Sequence, residues 1–387
     1  MRVVLAVLRY LPALGGSTRV VQLLAEGLAA RGHEVSVVSQ EEAGSPPTET
    51  IAGVRVYRIG MRHIAGFRVP RGYLRLLRSL DADVFHLHGN RIWCADYYFP
   101  RARSFDWPQV ITPHNFYHYW MRRGFVRWLY YERYLPGRLR AFDGYVALTP
   151  EEKDLVVSWK VPSDRVRVIP NGIDLQEFRG ELSNREAVRG AWKLGTPHVA
   201  VYTGGFYDNK RVDRLVRAVA GTGGDWGLVV TGPDVPGTPY DQRHCEQLAR
   251  ELGARVRFLG PLARPDLRRT LLAGDAYLQG SAFEGFGVSL LEAMSSGLPF
   301  VAFDAGAARA LAGAGAGYVV GSEPEMARQL SALLAHQDEM RRAALSASRE
   351  YSADRMVERT LELYHEIQHP VPTRPPPPAG ALPVPAS

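Results

Sequence analysis

Residues Ser281–Pro299 read SAFEGFGVSLLEAMSSGLP and hold two glutamates, Glu284 and Glu292, with seven residues and a Gly-Phe-Gly turn between them. Carboxylates so spaced serve as acid and base, as metal ligands, as acceptors for sugar hydroxyls, or as solvated surface charge. The turn narrows the choice. Gly285 and Gly287 allow close backbone approach, and a helix begins near Val288. The unpaired amides of a first helical turn favour an anion, so a phosphate or diphosphate fits at Phe286, Gly287 and Val288. Glu292 lies a little over one turn into that helix. From there it reaches past the phosphate toward a ribose, whose vicinal hydroxyls a carboxylate accepts bidentately. Glu284 lies on the other side, where a sugar would be. The pair then flanks a nucleotide-sugar diphosphate.

Such a site needs a rigid frame, and the chain alternates short apolar runs with amphipathic helical stretches. RVVLAVL, HEVSVVSQ, RVYRIG, DADVFHLHG, PQVITPHN, GYVALT and RVRVIPNG read as strands of a first unit. PHVAVYTGG, WGLVVTGP, RVRFLG, DAYLQGS, LPFVAFDAG and AGYVVG read as strands of a second. Helices are expected over Arg211–Ala220, Asp241–Leu252, Pro265–Leu272, Ser289–Ser296 and Ala353–Gln368. This βα alternation predicts two doubly wound parallel-sheet units joined near residues 175–195. In open α/β sheets, ligands bind beyond the carboxyl ends of the strands. That rule selects Gly15-Gly16-Ser17, His88-Gly89-Asn90 and His114-Asn115 in the first unit. In the second it selects Gly204-Gly205-Phe206 and the Glu284–Gly287 loop.

The bulk composition fits this frame. A chain of 387 residues, 46% apolar and 22% charged, is expected to form two domains of an ordinary globular protein. Cys94 and Cys245 form no disulfide framework, which fits a reducing cytoplasm. The apolar run Val3–Leu8 is broken by Arg9 and reads as a buried strand rather than a signal peptide. No run of 18 apolar residues spans a membrane. Residues 1–180 hold 25 Lys and Arg against 17 Asp and Glu, whereas residues 181–387 hold 22 against 23. The basic first half is either a solubilising surface or a match for an acidic partner, a phosphorylated acceptor or an anionic membrane. Nucleic acid is not expected, because no helix-turn-helix, zinc-finger or RNP signature occurs. The Pro-rich end, HPVPTRPPPPAGALPVPAS, reads as disordered or polyproline II.

These motifs resemble the retaining GT-B glycosyltransferases of family 4. The likeness runs from LPALGGSTRVVQLLAEGLAARGHEVSVVS through VALTPEEKDLVVSWKVPSDRVRVIPNGIDLQEF to VRFLGPLARPDLRRTLLAGDAYLQGSAFEGFGVSLLEAMSSGLPFVAFDAG. It implies a GT-B fold of two facing Rossmann-like, doubly wound domains. Residues 1–180 would bind the acceptor and 181–350 the nucleotide-sugar donor. Residues 351–369 would cross back to the first domain, leaving 370–387 as a tail. The resemblance assigns Glu284 to donor sugar hydroxyls, Glu292 to the ribose, and the amides at Phe286, Gly287 and Val288 to the distal phosphate. It assigns His114 to the active site near the donor sugar. Gly15 and Gly16 become the glycine loop that approaches the transferred sugar or phosphates. The family's arginine-and-lysine pair after the first C-domain strand is matched only at Lys210. Gly205 occupies the arginine position beside Gly204, and the adjacent Arg211 is the substitute in view.

The resemblance further implies retention by same-face attack, with the leaving phosphate oxygen taking the acceptor proton. No metal or other cofactor would be required, and a UDP- or GDP-sugar would be co-substrate. His86, His88, His114 and His118 are not expected to hold a metal, because no carboxylate completes a site. His88, Asn90 and Asn115 are assigned to the acceptor side. The acceptor is a saccharide, a lipid-linked glycan or a small molecule, in cell-envelope polysaccharide or glycoconjugate synthesis. The expected location is cytoplasmic, with peripheral membrane contact through the Arg- and aromatic-rich stretches 62–80 and 115–140. These stretches read equally as helices packed on the sheet. Asn171 reads as a turn residue. A Rossmann oxidoreductase lacks its G-x-G-x-x-G here, and a sugar-nucleotide epimerase gives no reason for the spaced glutamates. The non-enzymatic rival is an inactive GT-B-like nucleotide-sugar or glycan binder, with Gly205 as its support.

Overall fold

A computed structural model describes residues 1–13, 15–64, 67–90, 92–114 and 128–369. Asn115, His118 and the Pro-rich tail 370–387 lie outside the described residues. The strands are β1 (Arg2–Val7), β2 (Glu34–Gln40), β3 (Thr48–Ile51), β4 (Val54–Ile59), β5 (Met61–Ile64), β6 (Phe67–Pro70), β7 (Val84–His88) and β8 (Gln109–Thr112). They continue as β9 (Gly144–Ala147), β10 (Val166–Val168), β11 (His198–Thr203), β12 (Trp226–Thr231), β13 (Val256–Gly260), β14 (Ala276–Gln279), β15 (Phe300–Phe303) and β16 (Gly317–Val320). Five helices bear on the site: α1 (Gly16–Ala30), α2 (Val212–Ala220), α3 (Arg264–Ala273), α4 (Val288–Ser295) and α5 (Ala353–Gln368).

The first sheet runs β10-β9-β8-β7-β1-β2-β4-β3 and the second β13-β12-β11-β14-β15-β16. Both are parallel, apart from β3, which pairs antiparallel with β4 at one edge. β7 and β12 are buried along their whole length, as strands covered on both faces must be. Strand order reverses beside β1 in the first sheet and between β11 and β14 in the second. Crevices open at such switch points. The glycine loop follows β1, and the Glu284 loop follows β14.

One expectation needs correction. The Arg- and aromatic-rich stretch after β4 is not all helix: β5 and β6 pair as an antiparallel hairpin. Gly72, with φ of 69°, then turns the chain into a short helix, Tyr73–Ser79. In the second such stretch, Tyr131, Leu135 and Leu139 are buried, whereas Trp128 and Leu129 stand exposed.

The two sheets are joined by two strands of chain lying side by side. Ile173 N donates to Tyr351 O at 2.9 Å, and Ala353 N donates to Ile173 O at 2.9 Å. A Cβ on Gly172 would lie 2.8 Å from both Ala353 Cα and Ser352 O, so glycine is what lets the crossings touch. Asn171 itself is buried and is not among the residues of positive φ, so it is no special turn residue; the close approach falls one residue later. α5 starts at this crossing, where Ser352 Oγ caps it by accepting from Arg355 N. It packs on α1, with Val357 against Gly27 and Asp354 bonded to Arg31 at 2.9 Å. One apolar core therefore includes Val21 and Leu24 of α1, Leu290 and Leu291 of α4, and Val357 of α5. Among the described residues, no helix is long and apolar enough to cross a membrane.

Candidate active site

Two loops meet where the sheets face each other. The turn after β11 carries Lys210, and the turn after β14 carries Glu284. Asn209 Nδ2 donates to Phe283 O at 3.0 Å, and Ala282 N donates to Asn209 O at 2.8 Å, so the two turns are sewn together. Lys210 Nζ then bonds Glu284 Oε1 at 2.6 Å, and Ser281 Oγ donates to the same oxygen at 2.6 Å. The Glu284 loop is braced on its other side by Gly306, whose φ is 60°. A Cβ there would fall 2.5 Å from Phe286 O and 2.8 Å from Glu284 Cβ. Ala307 N also donates to Phe286 O at 2.9 Å. A carboxylate and an ammonium are thus held in fixed places, which is what charge stabilisation requires.

The helix starts converge on the same point. Gly287, with φ of 101°, caps α4, a backbone state that side-chain-bearing residues resist. Gly15 caps α1. A Cβ on Gly16 would lie 4.0 Å from Val288 Cβ, so the two glycine-led N-termini meet. Both present first-turn amides and a positive dipole end to the gap between the sheets. Gly204 has φ of 156°, and a Cβ there would strike Tyr202 OH at 2.5 Å. At Gly205 the Tyr207 ring folds over the backbone, 2.7 Å from where a Cβ would sit. The ring fills the space that a side chain at position 205 would use.

Glu292 lies on α4 behind this point and is 7% exposed. A buried carboxylate needs a counter-charge. Arg264, at the start of α3, provides it through Nη1 on Glu292 Oε1 at 2.7 Å. The same guanidinium forks onto Glu177, with Nε to Oε1 at 2.5 Å and Nη2 to Oε2 at 2.7 Å. Glu177 also accepts from Arg19 Nη2 of α1 at 2.9 Å. Burial raises the Glu292 carboxyl above the usual range, and Arg264 opposes that rise.

The first sheet contributes stacked imidazoles. His88 Nδ1 and His114 Nε2 share a hydrogen bond of 3.0 Å. His86, tilted against His88 with 4.0 Å between ring centroids, bonds Tyr364 OH of α5 and Thr112 Oγ1, each at 2.7 Å. His114 adopts φ of 59°. Burial lowers all three imidazoles, His114 to about 4, so they are neutral at pH 7. Among the described residues, no three His, Cys, Asp or Glu side chains gather where a metal ion would sit.

The structure thus brings Gly15, Gly16, Lys210, Glu284, Phe286, Gly287 and Val288 to one place, with Gly285 on the cleft wall and Glu292 behind, whereas Gly204 packs against Tyr202 and Gly232. It does not bring Arg211 there. Arg211 caps α2 with φ of 49°, and its guanidinium forks onto Asp213 at 2.8 Å twice and lies over the Tyr240 ring. Nor do His88 and Asn90 face an open surface. They are 3% and 1% exposed, and they touch His114 and Pro113 O instead. Sequence reasoning missed Gly306, Arg264, Glu177 and Arg19. It also missed a cleft of about 510 Å³ beside Glu284. Thr149, Pro150 and Glu151 line that cleft from the first unit, and Gly285, Gly306 and Arg309 from the second.

Comparison with known proteins bears on the family and the fold. Residues 14–177 match the family model described as Glycosyltransferase Family 4, and residues 184–351 match Glycosyl transferases group 1. The chain is 26% identical over 383 residues to a GDP-mannose:cellobiosyl-diphosphopolyprenol alpha-mannosyltransferase of Xanthomonas oryzae, covering 95% of this chain and 97% of that one. It is 29% identical to a D-inositol 3-phosphate glycosyltransferase of Xylanimonas cellulosilytica, covering 93% and 94%. Among solved structures, a sucrose-phosphate synthase from Thermosynechococcus elongatus superposes with a TM-score of 0.80 at 19% identity, over 95% and 98% of the chains. An Anabaena protein in complex with UDP-glucose gives 0.73 at 18%, over 95% and 100%.

Proposed function

We propose that this chain, which belongs to the GT-B glycosyltransferases of family 4, moves a sugar from a UDP- or GDP-sugar to a saccharide or lipid-linked acceptor with retention of configuration. The observation that carries this reading is the meeting of two glycine-led helix starts, Gly16 against Val288, beside the Lys210–Glu284 pair. A diphosphate placed there meets first-turn amides and the Lys210 ammonium. Glu284 would turn to the sugar hydroxyls, and Glu292 would take the ribose.

Charge develops on the leaving diphosphate in such a transfer, so the amides and Lys210 would supply the main electrostatic stabilisation. With Gly205 beneath the Tyr207 ring, one lysine is proposed to act where the family uses two cations. Glu284 already holds a lysine and a serine, which favours a role in orientation over nucleophilic attack. Same-face attack, with the leaving oxygen accepting the acceptor's proton and no metal involved, is the mechanism we favour. The acceptor is placed in the cleft beside Glu284. The two matched relatives act, by their names, on a diphosphopolyprenol-linked disaccharide and on an inositol phosphate, which sets the range of acceptors to try.

The test is turnover. Incubation with UDP- and GDP-sugars and a lipid-diphosphate saccharide should release nucleoside diphosphate and yield a product whose anomeric configuration, read by proton NMR, equals that of the donor. Inverted product would overturn retention. Donor binding without release for any acceptor would favour the inactive binder.

A further inference from the structure

The donor reading gives Glu292 a task but does not explain the three charged residues gathered behind it. We infer that Arg264 is a positioning residue of the donor site, supplying the counter-charge that keeps Glu292 a carboxylate aimed at the ribose. The inference rests on the ribose reading of Glu292.

The geometry is specific. Arg264 is the first residue of α3, and its guanidinium lies over the Phe178 ring with its carbon 4.7 Å from the centroid. Two of its nitrogens grip Glu177 and the third reaches Glu292 Oε1. The planar fork of arginine suits such a double engagement, whereas lysine offers a point charge. Because the bond falls on Oε1, Oε2 is left for a ligand hydroxyl. The charged groups facing Glu292 are Arg264 from α3, Glu177 from the linking segment and Arg19 from α1. Arg264 touches Glu292 directly, while Arg19 acts on it through Glu177. Arg19 stands in the first turn of α1, three residues past Gly16. The chain of ion pairs thus runs from the glycine loop of one unit to the ribose carboxylate of the other.

The consequence is a pH signature. Burial pushes Glu292 up, and Arg264 pulls it down. Without Arg264 the carboxyl rises further and takes a proton nearer neutrality. A protonated carboxyl has one acceptor fewer for the ribose. Nucleotide affinity should then be weak at low pH and recover as pH rises through the elevated value. In the wild type it should stay level over the same range.

Isothermal titration of UDP and of GDP from about pH 6 to about pH 9 tests this, with wild type, Arg264→Met, Arg264→Lys, Glu292→Ala and Glu292→Gln. Arg264→Met should weaken binding about tenfold or more near the acid end, and the deficit should shrink as pH rises. Arg264→Lys should restore part of the affinity, and Glu292→Gln should bind weakly without pH dependence. A pH-independent deficit in Arg264→Met, or none, overturns the inference. Wild-type affinity in Glu292→Ala overturns the ribose reading instead. A nucleotide-free readout stands beside these. The melting temperature of Arg264→Met should fall below that of Arg264→Met/Glu292→Gln, by a gap that widens as pH rises. The sign follows because a carboxyl raised in the fold loses stability as pH climbs from its unfolded toward its folded value. A gap that does not change with pH also overturns the inference.

Discussion

His114 shows how a single residue's burial becomes a measurable property. Its imidazole ordinarily titrates near 6.5, and burial lowers it to about 4. Between those values the unfolded chain binds a proton that the folded chain refuses. Stability from this group is therefore complete above about 6.5 and declines as pH falls toward about 4. Replacing His114 by Asn, which tolerates the left-handed backbone at this position, should remove one proton's worth of acid sensitivity. That amounts to about 1.4 kcal/mol per pH unit in denaturant-derived stability within the window. An unchanged slope would mean that His114 titrates normally. The sequence located this residue but gave no sign that His88 lies behind it, because the stacking depends on β7 and β8 lying in register. Lys210 and Glu284 were legible because each lies in the turn after a strand that sequence periodicity already marked, and Glu292 because it lies in the helix that the Glu284 turn opens. Arg264, Glu177 and Arg19 were not: they are 87 and 158 residues apart along the chain, and each alone looks like a surface charge.

Elements were the most legible level. Helix α4 begins one residue before its expected start, and β1, β7, β11 and β14 fall inside their expected apolar runs. Periodicity reports burial, and these strands are buried on both faces. The β5–β6 hairpin escaped because its residues carry no uninterrupted apolar alternation. The crossing at Gly172 also escaped, since the need for glycine arises from partners, Ser352 and Ala353, far along the chain. Gly172→Ala puts a methyl group 2.8 Å from backbone atoms of Ser352 and Ala353. The two crossings must separate to admit it, at a cost of about 1–3 kcal/mol. Thermal melts should show a drop of several degrees; an unaltered melting temperature would mean the crossing is slack.

At the scale of the whole molecule, the site exists only because two sheets present their carboxyl edges to each other. The glycine loop and the imidazoles come from one unit, and Lys210 and both glutamates come from the other. α5 and the paired crossings fix their separation, and the Arg19–Glu177–Arg264–Glu292 chain links them. The fold class could be read from the βα alternation, whereas the facing of the units came only from the family resemblance, because it rests on contacts between residues far apart in sequence. The central claim is that Lys210 holds the diphosphate while Glu292 holds the ribose. Titration calorimetry of UDP, GDP and inorganic pyrophosphate against wild type, Lys210→Ala and Glu292→Ala tests it most directly. Lys210→Ala should weaken pyrophosphate and nucleotide alike, by about tenfold or more. Glu292→Ala should weaken the nucleotide about tenfold and leave pyrophosphate as it was. Nucleotide affinity untouched by Glu292→Ala, or pyrophosphate affinity untouched by Lys210→Ala, would contradict the account.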